Sequence, residues 1–297
     1  MADKFKPMSI KNSELILNSD GSIYHLNLRP EHVAPIVITV GDPDRVEQVS
    51  KYFDRVEFKI QKREFTTHTG TLNRQKISVI STGIGSDNID IVLNELDALV
   101  NIDFQTRQIK SNLKSLKIVR LGTSGALQTD IPTDSFVMSS YGLDINGMLP
   151  NYDTQTIQNL QFETAFCQHL NWDENRAKPI LVQNSKMLEN QLMSGDMISG
   201  ITATCGGFYG PQGRSLRLAP KDPTFINKMQ SFRHQDFRIT NFEMETSAIY
   251  GLSKLLGHEA CSLNAILANR ANGTFSENPE KAVDRLIQYA LKQLTDQ

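Results

Sequence analysis

The sequence predicts a single α/β domain in which helices flank a central β-sheet. Short, continuously apolar runs alternate along the chain with helical patterns, and glycine turns follow several of the runs. Strand, glycine turn and helix in series are typical of a sheet covered by helices. Because no linker, repeat or low-complexity segment divides the 297 residues, one domain over residues 21–297 is the simplest interpretation.

Apolar runs rich in branched residues predict the strands. They cover residues 34–40 (APIVITV), 76–85 (KISVISTGIG) and 116–125 (LKIVRLGTSG), and the last two pass into a glycine turn. A further run, residues 260–270 (ACSLNAILANR), ends in two polar side chains. Such runs are typical of strands that are buried on both faces.

Two segments, residues 87–100 and 281–294, carry apolar side chains at helical spacing. The first stripe consists of Ile89, Val92, Leu93, Leu96, Leu99 and Val100. The second consists of Val283, Leu286, Ile287, Ala290, Leu291 and Leu294. Both patterns predict amphipathic helices. Residues 1–20 are polar and have no period, which predicts a loosely ordered N-terminal arm.

Composition excludes several classes of protein. The net charge is −2, and the basic and acidic residues are interspersed, so we expect neither a nucleic-acid nor an anionic-membrane partner. The three cysteines, Cys167, Cys205 and Cys261, form no CxxC pair, which argues against a zinc site or a disulfide framework. With neither a signal segment nor a membrane-length apolar run, we expect a cytoplasmic protein.

Polar groups follow the predicted strands at their carboxyl ends, where ligands bind in α/β sheets. Gly41 and Arg45 follow the first run, a Gly-Ile-Gly turn at 83–85 follows the second, and Arg120 and Thr123 lie at the third. Exposed backbone N–H groups and guanidinium forks suit an oxyanion such as phosphate. On these residues alone, ordinary strand-ending turns are the favoured interpretation, since the turns fit no standard phosphate loop.

A loop over residues 206–215 (GGFYGPQGRS) combines an aromatic ring, an amide and a guanidinium at Phe208, Gln212 and Arg214. Its glycines and proline exclude a helix. Further along, Glu243, Met244 and Glu245 precede a helix-like run. Carboxylates at that point can also simply complement the positive end of a helix.

Taken together, these residues resemble the nucleoside phosphorylase family, whose fold has a mixed, twisted central sheet. The match extends from about Tyr24 to the C-terminus. Its motifs are GDPDRV (41–46), REFTT (63–67), STGIG (81–85), RLGTSGA (120–126), FYGPQGR (208–214), FEME (242–245) and ANR (268–270). The FYGPQGR loop indicates uracil rather than a purine, so the resemblance implies a pentosyltransferase that reversibly converts uridine and phosphate to uracil and ribose 1-phosphate.

The resemblance also implies a role for each matching residue in binding phosphate. Gly41, Arg45, Arg120 and Thr123 would bind phosphate, and Arg63 would reach the same site from a neighbouring subunit. Inorganic phosphate would therefore be a co-substrate, with no metal or organic cofactor required.

Ribose and base would be held by the other motifs. Glu243, Met244 and Glu245 would bind the ribose, together with His25 from the neighbouring subunit. The base-binding residues would be Phe208, Gln212 and Arg214. A glutamine amide can accept from the uracil N3–H and donate to a carbonyl, whereas an arginine can only donate. We expect the catalytic groups to be Arg120, Arg214 and Gln212, because a fixed cation stabilises the departing uracil anion.

The implied assembly is a homo-oligomer with shared active sites, either a dimer or a trimer of dimers. Related enzymes bind a monovalent cation at the interface. Here Ser86-Asp87-Asn88 replaces the usual Gly-Pro-Ser, which argues against that cation, although Glu64 still matches a candidate ligand.

Three alternatives stay open at this point. A purine nucleoside phosphorylase or a water-using nucleosidase could share the fold, although a nucleosidase has no need of the arginines at 45, 63 and 120. A non-catalytic nucleoside-binding protein could share it as well, because fold alone does not determine function. The preference between uridine and its deoxy analogues is also undetermined.

Overall fold

The computed structural model describes residues 9–195 and 197–296. The strands in chain order are β1 (Ile36–Val40), β2 (Arg55–Lys62), β3 (Phe65–Leu72), β4 (Gln75–Ser81), β5 (Ile102–Asp103), β6 (Gln108–Ile109), β7 (Lys117–Ala126), β8 (Phe136–Asp144), β9 (Ile180–Gln183), β10 (Ile198–Thr204), β11 (Arg233–His234), β12 (Phe237–Glu243), β13 (Glu259–Asn269) and β14 (Thr274–Phe275). The helices are α1 (Pro43–Ser50), α2 (Ser86–Asn101), α3 (Leu160–Leu170), α4 (Lys186–Leu192), α5 (Phe225–Ser231), α6 (Thr246–Leu256) and α7 (Pro279–Thr295).

All strands except the β5–β6 hairpin belong to one sheet, whose main path runs β11-β12-β10-β8-β13-β7-β1-β4-β3-β2. Pairing is parallel between β4, β1, β7 and β13, and antiparallel at β8–β13 and along β2-β3-β4. This mixed sheet with flanking helices confirms the predicted fold class.

A second contact bends the sheet into a ring. The ends of β7 and β12 pair antiparallel, with Gly125 opposite Phe242 and Ala126 opposite Asn241. The strands β7, β12, β10, β8 and β13 therefore close on themselves. The strand β7 continues through Gly122 and Gly125 to Ala126, so the glycine turn predicted after Arg120 is part of the strand instead. The closure brings this end of β7 next to the residues that precede α6, so two distant motifs share one edge of the sheet.

Both predicted amphipathic helices exist and bury the expected stripes. On α2 the buried face includes Ile89, Val92, Leu93, Leu96 and Leu99. On α7 it includes Leu286, Ile287, Ala290, Leu291 and Leu294. Each large aliphatic side chain buried in this way contributes about 1.5–3 kcal/mol. The two helices belong to different apolar clusters, which hold the sheet between them.

Residues 9–20 make long-range contacts that their polar sequence did not indicate. The Arg107 guanidinium donates to the backbone carbonyls of Ile10 at 2.7 Å and Lys11 at 3.0 Å, and also to that of Leu15. The Leu15 side chain is buried in the cluster that includes α2. The remainder of the predicted arm, residues 1–8, lies outside the described residues.

Within the part of the chain that the structure describes, no helix combines the length and apolar character needed to cross a membrane.

Candidate active site

A cavity of about 860 Å³ opens at the carboxyl ends of β1, β4, β7 and β12. Ten of the predicted site residues line it: Gly41, Arg45, Arg120, Thr123, Phe208, Gln212, Arg214, Glu243, Met244 and Glu245. The remaining two, His25 and Arg63, do not line it. The fold therefore brings together motifs that are more than 200 positions apart in the sequence.

Arg45 contributes a guanidinium that makes no hydrogen bond to another described residue. Asp42 caps the start of α1 by accepting from the Asp44 N–H at 3.0 Å, and Pro43 occupies the first helical turn, so the turn that carries Arg45 is well fixed. Among the described residues, none accepts a hydrogen bond from the Arg45 guanidinium. Burial lowers the pKa of Arg45, and the Asp42 carboxylate opposes this shift. A half-buried cation without a partner favours an anionic ligand.

Arg120 lies deeper, in a cluster with two carboxylates. Its Nη2 is 2.6 Å from Glu245 Oε2 and 3.2 Å from Glu243 Oε2, and its Nη1 is 2.8 Å from Asn264 Oδ1. The guanidinium lies over Gly122, where a Cβ atom would come within 1.8 Å of Nη1. Glycine is therefore required two positions after the arginine for this conformation.

Burial and charge act in opposite directions in this cluster. Burial alone would lower the pKa of Arg120, but the Glu243 and Glu245 carboxylates outweigh burial and raise it. Burial raises the pKa of Glu245, and the charge of Arg120 opposes that shift. The arginine therefore stays charged, and this single cation forms ion pairs with two buried carboxyl groups.

The two glutamates differ in how many hydrogen-bond acceptor positions remain free for a ligand. Glu243 accepts from the Thr204 hydroxyl at 2.6 Å and from the backbone N–H groups of Glu245 and Thr246, both at 2.8 Å. It therefore caps the start of α6, as the alternative interpretation of this motif suggested. Glu245 accepts only from Gly85 N–H at 2.8 Å and from Arg120 among the described residues. Since a carboxylate has about four acceptor positions, Glu245 retains capacity for sugar hydroxyls.

Another part of the cavity lining comes from the loop at residues 206–215. The Arg214 guanidinium stacks 3.8 Å from the centre of the Phe208 ring and donates to the Phe208 carbonyl at 2.8 Å. It also donates to the side-chain oxygen of Gln212, which is buried. Burial lowers the pKa of Arg214. The ring, amide and guanidinium are thus assembled into one unit.

Arg270 is a residue of this region to which the sequence analysis assigned no role. It donates to the backbone carbonyl of Gln212 and lies 5.9 Å from the centre of the Phe242 ring. Burial, followed by the nearby charge of Arg214, lowers the pKa of Arg270 to about 10. In the sequence, Arg270 could have been identified as a candidate by its position in the ANR motif, directly after β13. Its contact with the loop at residues 206–215 depends on the fold.

His25 and Arg63 lie together elsewhere on the surface, around the ring of Tyr24. The His25 ring is 4.8 Å from that ring, and Arg63 Cζ is 5.9 Å from its centre. His25 Nδ1 is 2.6 Å from Glu95 Oε1. A single chain therefore does not bring these two residues into the cavity.

The segment with the unusual turn sequence has a structural function. Ser86 Oγ donates to the Met244 carbonyl at 3.1 Å and accepts from Asn146 Nδ2 at 2.5 Å. Glu64 and Asn88 line the cavity. In residues 9–195 and 197–296, no group of three His, Cys, Asp or Glu side chains has the arrangement of a metal site.

The chain belongs to the phosphorylase superfamily, which matches residues 35–295. This confirms the family indicated by the sequence motifs. The chain is 28% identical over 280 residues to a uridine phosphorylase of Thermococcus kodakarensis, covering 93% of this chain and 88% of the relative. It is 26% identical over 277 residues to the uridine phosphorylase of Haemophilus influenzae, covering 89% and 96%.

The fold comparison agrees with the family. A Trypanosoma brucei nucleoside phosphorylase, whose crystal structure is described as showing uridine phosphorylase activity, superposes with a TM-score of 0.85 at 26% identity, covering 96% of this chain and all of that one. A DeoD-type purine nucleoside phosphorylase of Buchnera aphidicola is 24% identical over 271 residues, covering 90% and 97%.

Proposed function

We propose that this protein is a uridine phosphorylase that reversibly converts uridine and inorganic phosphate to uracil and ribose 1-phosphate. The observation that carries the proposal is that two chemically different groups line one cavity. Arg45 supplies a guanidinium that no described residue accepts from. Phe208, Gln212 and Arg214 supply a ring, an amide and a guanidinium that are held as one unit. The related uridine phosphorylases support the same assignment.

Phosphate binds beside Arg45. The guanidiniums of Arg45 and Arg120 and the backbone of Gly41 supply donors, and Thr123 adds a hydroxyl. Two guanidinium groups suit the charge and geometry of phosphate oxygens. Phosphate fixed in this way attacks the anomeric carbon of a ribose that is held by Met244 and Glu245, and fixing two reactants together removes much of the entropic barrier.

Uracil leaves as an anion, and its negative charge develops on the ring carbonyls. Arg214 is held in place by its bonds to Phe208 and Gln212, so it stabilises that charge with little reorganisation. Gln212 donates to and accepts from the amide edge of the ring. Arg270 adds a second positive charge next to Arg214. Such groups bind the transition state better than the substrate, which is the requirement for catalysis.

The active form is a homo-oligomer. His25 and Arg63 lie apart from the cavity of their own chain and close to each other, as expected of residues that reach a neighbour's ribose and phosphate. A two-fold dimer is the smallest assembly that completes both sites. Glu64, at the cavity edge, is the ligand that an interface cation would use.

A substrate panel tests the proposal. Uridine, thymidine and inosine are each incubated with the full-length protein, with and without phosphate, and base release is followed by chromatography. We expect rapid release of uracil only when phosphate is present. Preferred cleavage of inosine would indicate a purine enzyme, and release without phosphate a nucleosidase. Nucleoside binding without any turnover would indicate a non-catalytic binding protein.

A further inference from the structure

The Arg120 guanidinium is held at its two ends by chemically different partners. Nη2 contacts Glu245 at 2.6 Å and Glu243 at 3.2 Å, whereas Nη1 donates to Asn264 at 2.8 Å. Arginine and a carboxylate often form a fork of two parallel hydrogen bonds. Here Asn264 occupies the end that would complete such a fork, so Glu245 receives one hydrogen bond from Arg120.

Asn264 is the first member of a buried polar chain that crosses the ring of strands. We use the name "buried polar chain" for Asn264, Ser139, Thr202, Asn241 and Ser124. Its successive links measure 3.1, 2.5, 2.9 and 2.9 Å. All members are buried, the first four with no exposed surface. Buried polar side chains are costly unless hydrogen-bonded, and here each satisfies the next.

The donors of this chain all point in one direction. An arginine can only donate, so Asn264 presents its oxygen to Arg120 and its NH₂ to Ser139. The Ser139 hydroxyl then donates to Thr202, which donates to the Asn241 oxygen. The chain reaches the cavity again at Ser124, which accepts from the Asn241 NH₂.

We propose that Asn264 is a positioning residue for the anion site. It keeps the Arg120 guanidinium from forming a complete fork with Glu245, so that its remaining N–H groups stay available to phosphate. The buried polar chain in turn prevents the Asn264 amide from rotating. The inference rests on the proposed function, because it concerns how the same site binds phosphate.

Removal of Asn264 has a defined consequence. Two buried carboxylates attract the guanidinium, and Nη1 would have no competing acceptor. The guanidinium then turns toward Glu245 and makes two bonds to it, as guanidinium–carboxylate pairs prefer. The free N–H groups of Arg120 then turn away from the phosphate position. Arg214 and the base-binding loop are unaffected, since Asn264 makes no hydrogen bond to them among the described residues.

The test compares the Michaelis constants of Asn264→Ala for phosphate and for uridine. Loss of a hydrogen bond to a charged group predicts an increase of about 10- to 100-fold in KM for phosphate. The increase in KM for uridine should be clearly smaller, because a second bond from Arg120 still leaves Glu245 an acceptor position for a sugar hydroxyl. Ser139→Ala breaks the chain one link further away and should shift the same constant in the same direction. Equal increases in both constants, or no increase, would overturn the proposal.

Asn101→Ala is the matched control. Asn101 is a buried asparagine at the end of α2 that makes three comparable hydrogen bonds, to Asp97 and to both backbone groups of Lys114. It should lower the melting temperature without changing KM for phosphate. If Asn264→Ala does not fold, Ser139→Ala carries the test.

A measurement without turnover separates this inference from the proposed function. Phosphate should raise the melting temperature of the wild-type protein at concentrations at least tenfold lower than those needed for Asn264→Ala. If wild type binds phosphate in this way but cleaves no nucleoside, the proposed function fails while the role of Asn264 stands. If both proteins respond at the same phosphate concentration, the role of Asn264 is contradicted whatever the activity.

Discussion

Replacing Arg120 by methionine should destabilise the protein as well as inactivate it. Arg120 is the cation that neutralises Glu243 and Glu245, whose residues are only 4% and 5% exposed. Removing one partner from a buried ion pair costs about 3–5 kcal/mol, because the remaining charge is left unpaired. Methionine fills a similar volume, so we assign the loss to charge rather than to a cavity.

This cost can be expressed as a melting temperature. With an unfolding entropy of about 2.1 cal/mol/K per residue, the 297-residue chain loses about 5–8 °C. The control is Arg238→Met, because Arg238 makes two good bonds to Asp130, at 2.8 and 2.7 Å, but at the surface. A surface pair contributes about 0–1 kcal/mol, so this variant should melt within about 2 °C of wild type.

The loss of stability in Arg120→Met should depend on pH in a defined direction. In Arg120→Met, burial raises the pKa of the Glu245 carboxyl group in the folded state, with no cation to oppose it. Stability is then lost as the pH rises above the unfolded pKa, which is about 4.3 for glutamate, since the folded state binds more protons there. The gap between variant and wild type should therefore narrow as the pH falls from 7.5 to 5.

The melting temperatures of wild type, Arg120→Met and Arg238→Met are measured by circular dichroism at pH 7.5 and at pH 5. An Arg120→Met protein that melts with wild type, or whose deficit grows on acidification, would refute the reasoning about the buried carboxylates.

Three further substitutions separate the parts of the site. Gly122→Ala places a Cβ atom 1.8 Å from Arg120 Nη1, so it should raise KM for phosphate at least tenfold; steady-state kinetics with an unchanged value would contradict the placement of the guanidinium. Arg214→Ala should lower kcat by about 10²–10³, as for other donors to a developing oxyanion; an effect seen only in KM would argue against its role at the leaving group. Thr204→Val removes a donor to Glu243 and should cost about 1–3 kcal/mol in a denaturant titration, with both KM values retained; full stability would show that the cap is dispensable.

The fold was largely predictable because its central strands, β1, β4 and β7, are buried over most of their length. The runs at β1, β4 and β7 could not be mistaken for surface segments, and the α2 and α7 stripes required a partner sheet. The pairing of Gly125 with Phe242 was not predictable. It depends on how far the sheet curls, which no local pattern encodes.

The site was predictable to the extent that its residues lie near the carboxyl ends of apolar strands and in a loop rich in glycine. The different roles of Glu243 and Glu245 could not be predicted from the sequence. They depend on hydrogen-bond donors from β10 and α6 that surround Glu243. Asn264 was missed for a similar reason. In the sequence it is one of a few polar residues in an otherwise apolar strand. Its importance comes from its bond to Arg120, which is 144 positions away.

The central claim is that a bound phosphate, and not water, accepts the ribose. The most direct measurement is the stoichiometry of products from uridine in phosphate buffer and in a phosphate-free buffer of equal ionic strength. We predict equal amounts of uracil and ribose 1-phosphate in the first and no uracil in the second. Uracil accompanied by free ribose in either buffer would contradict the account.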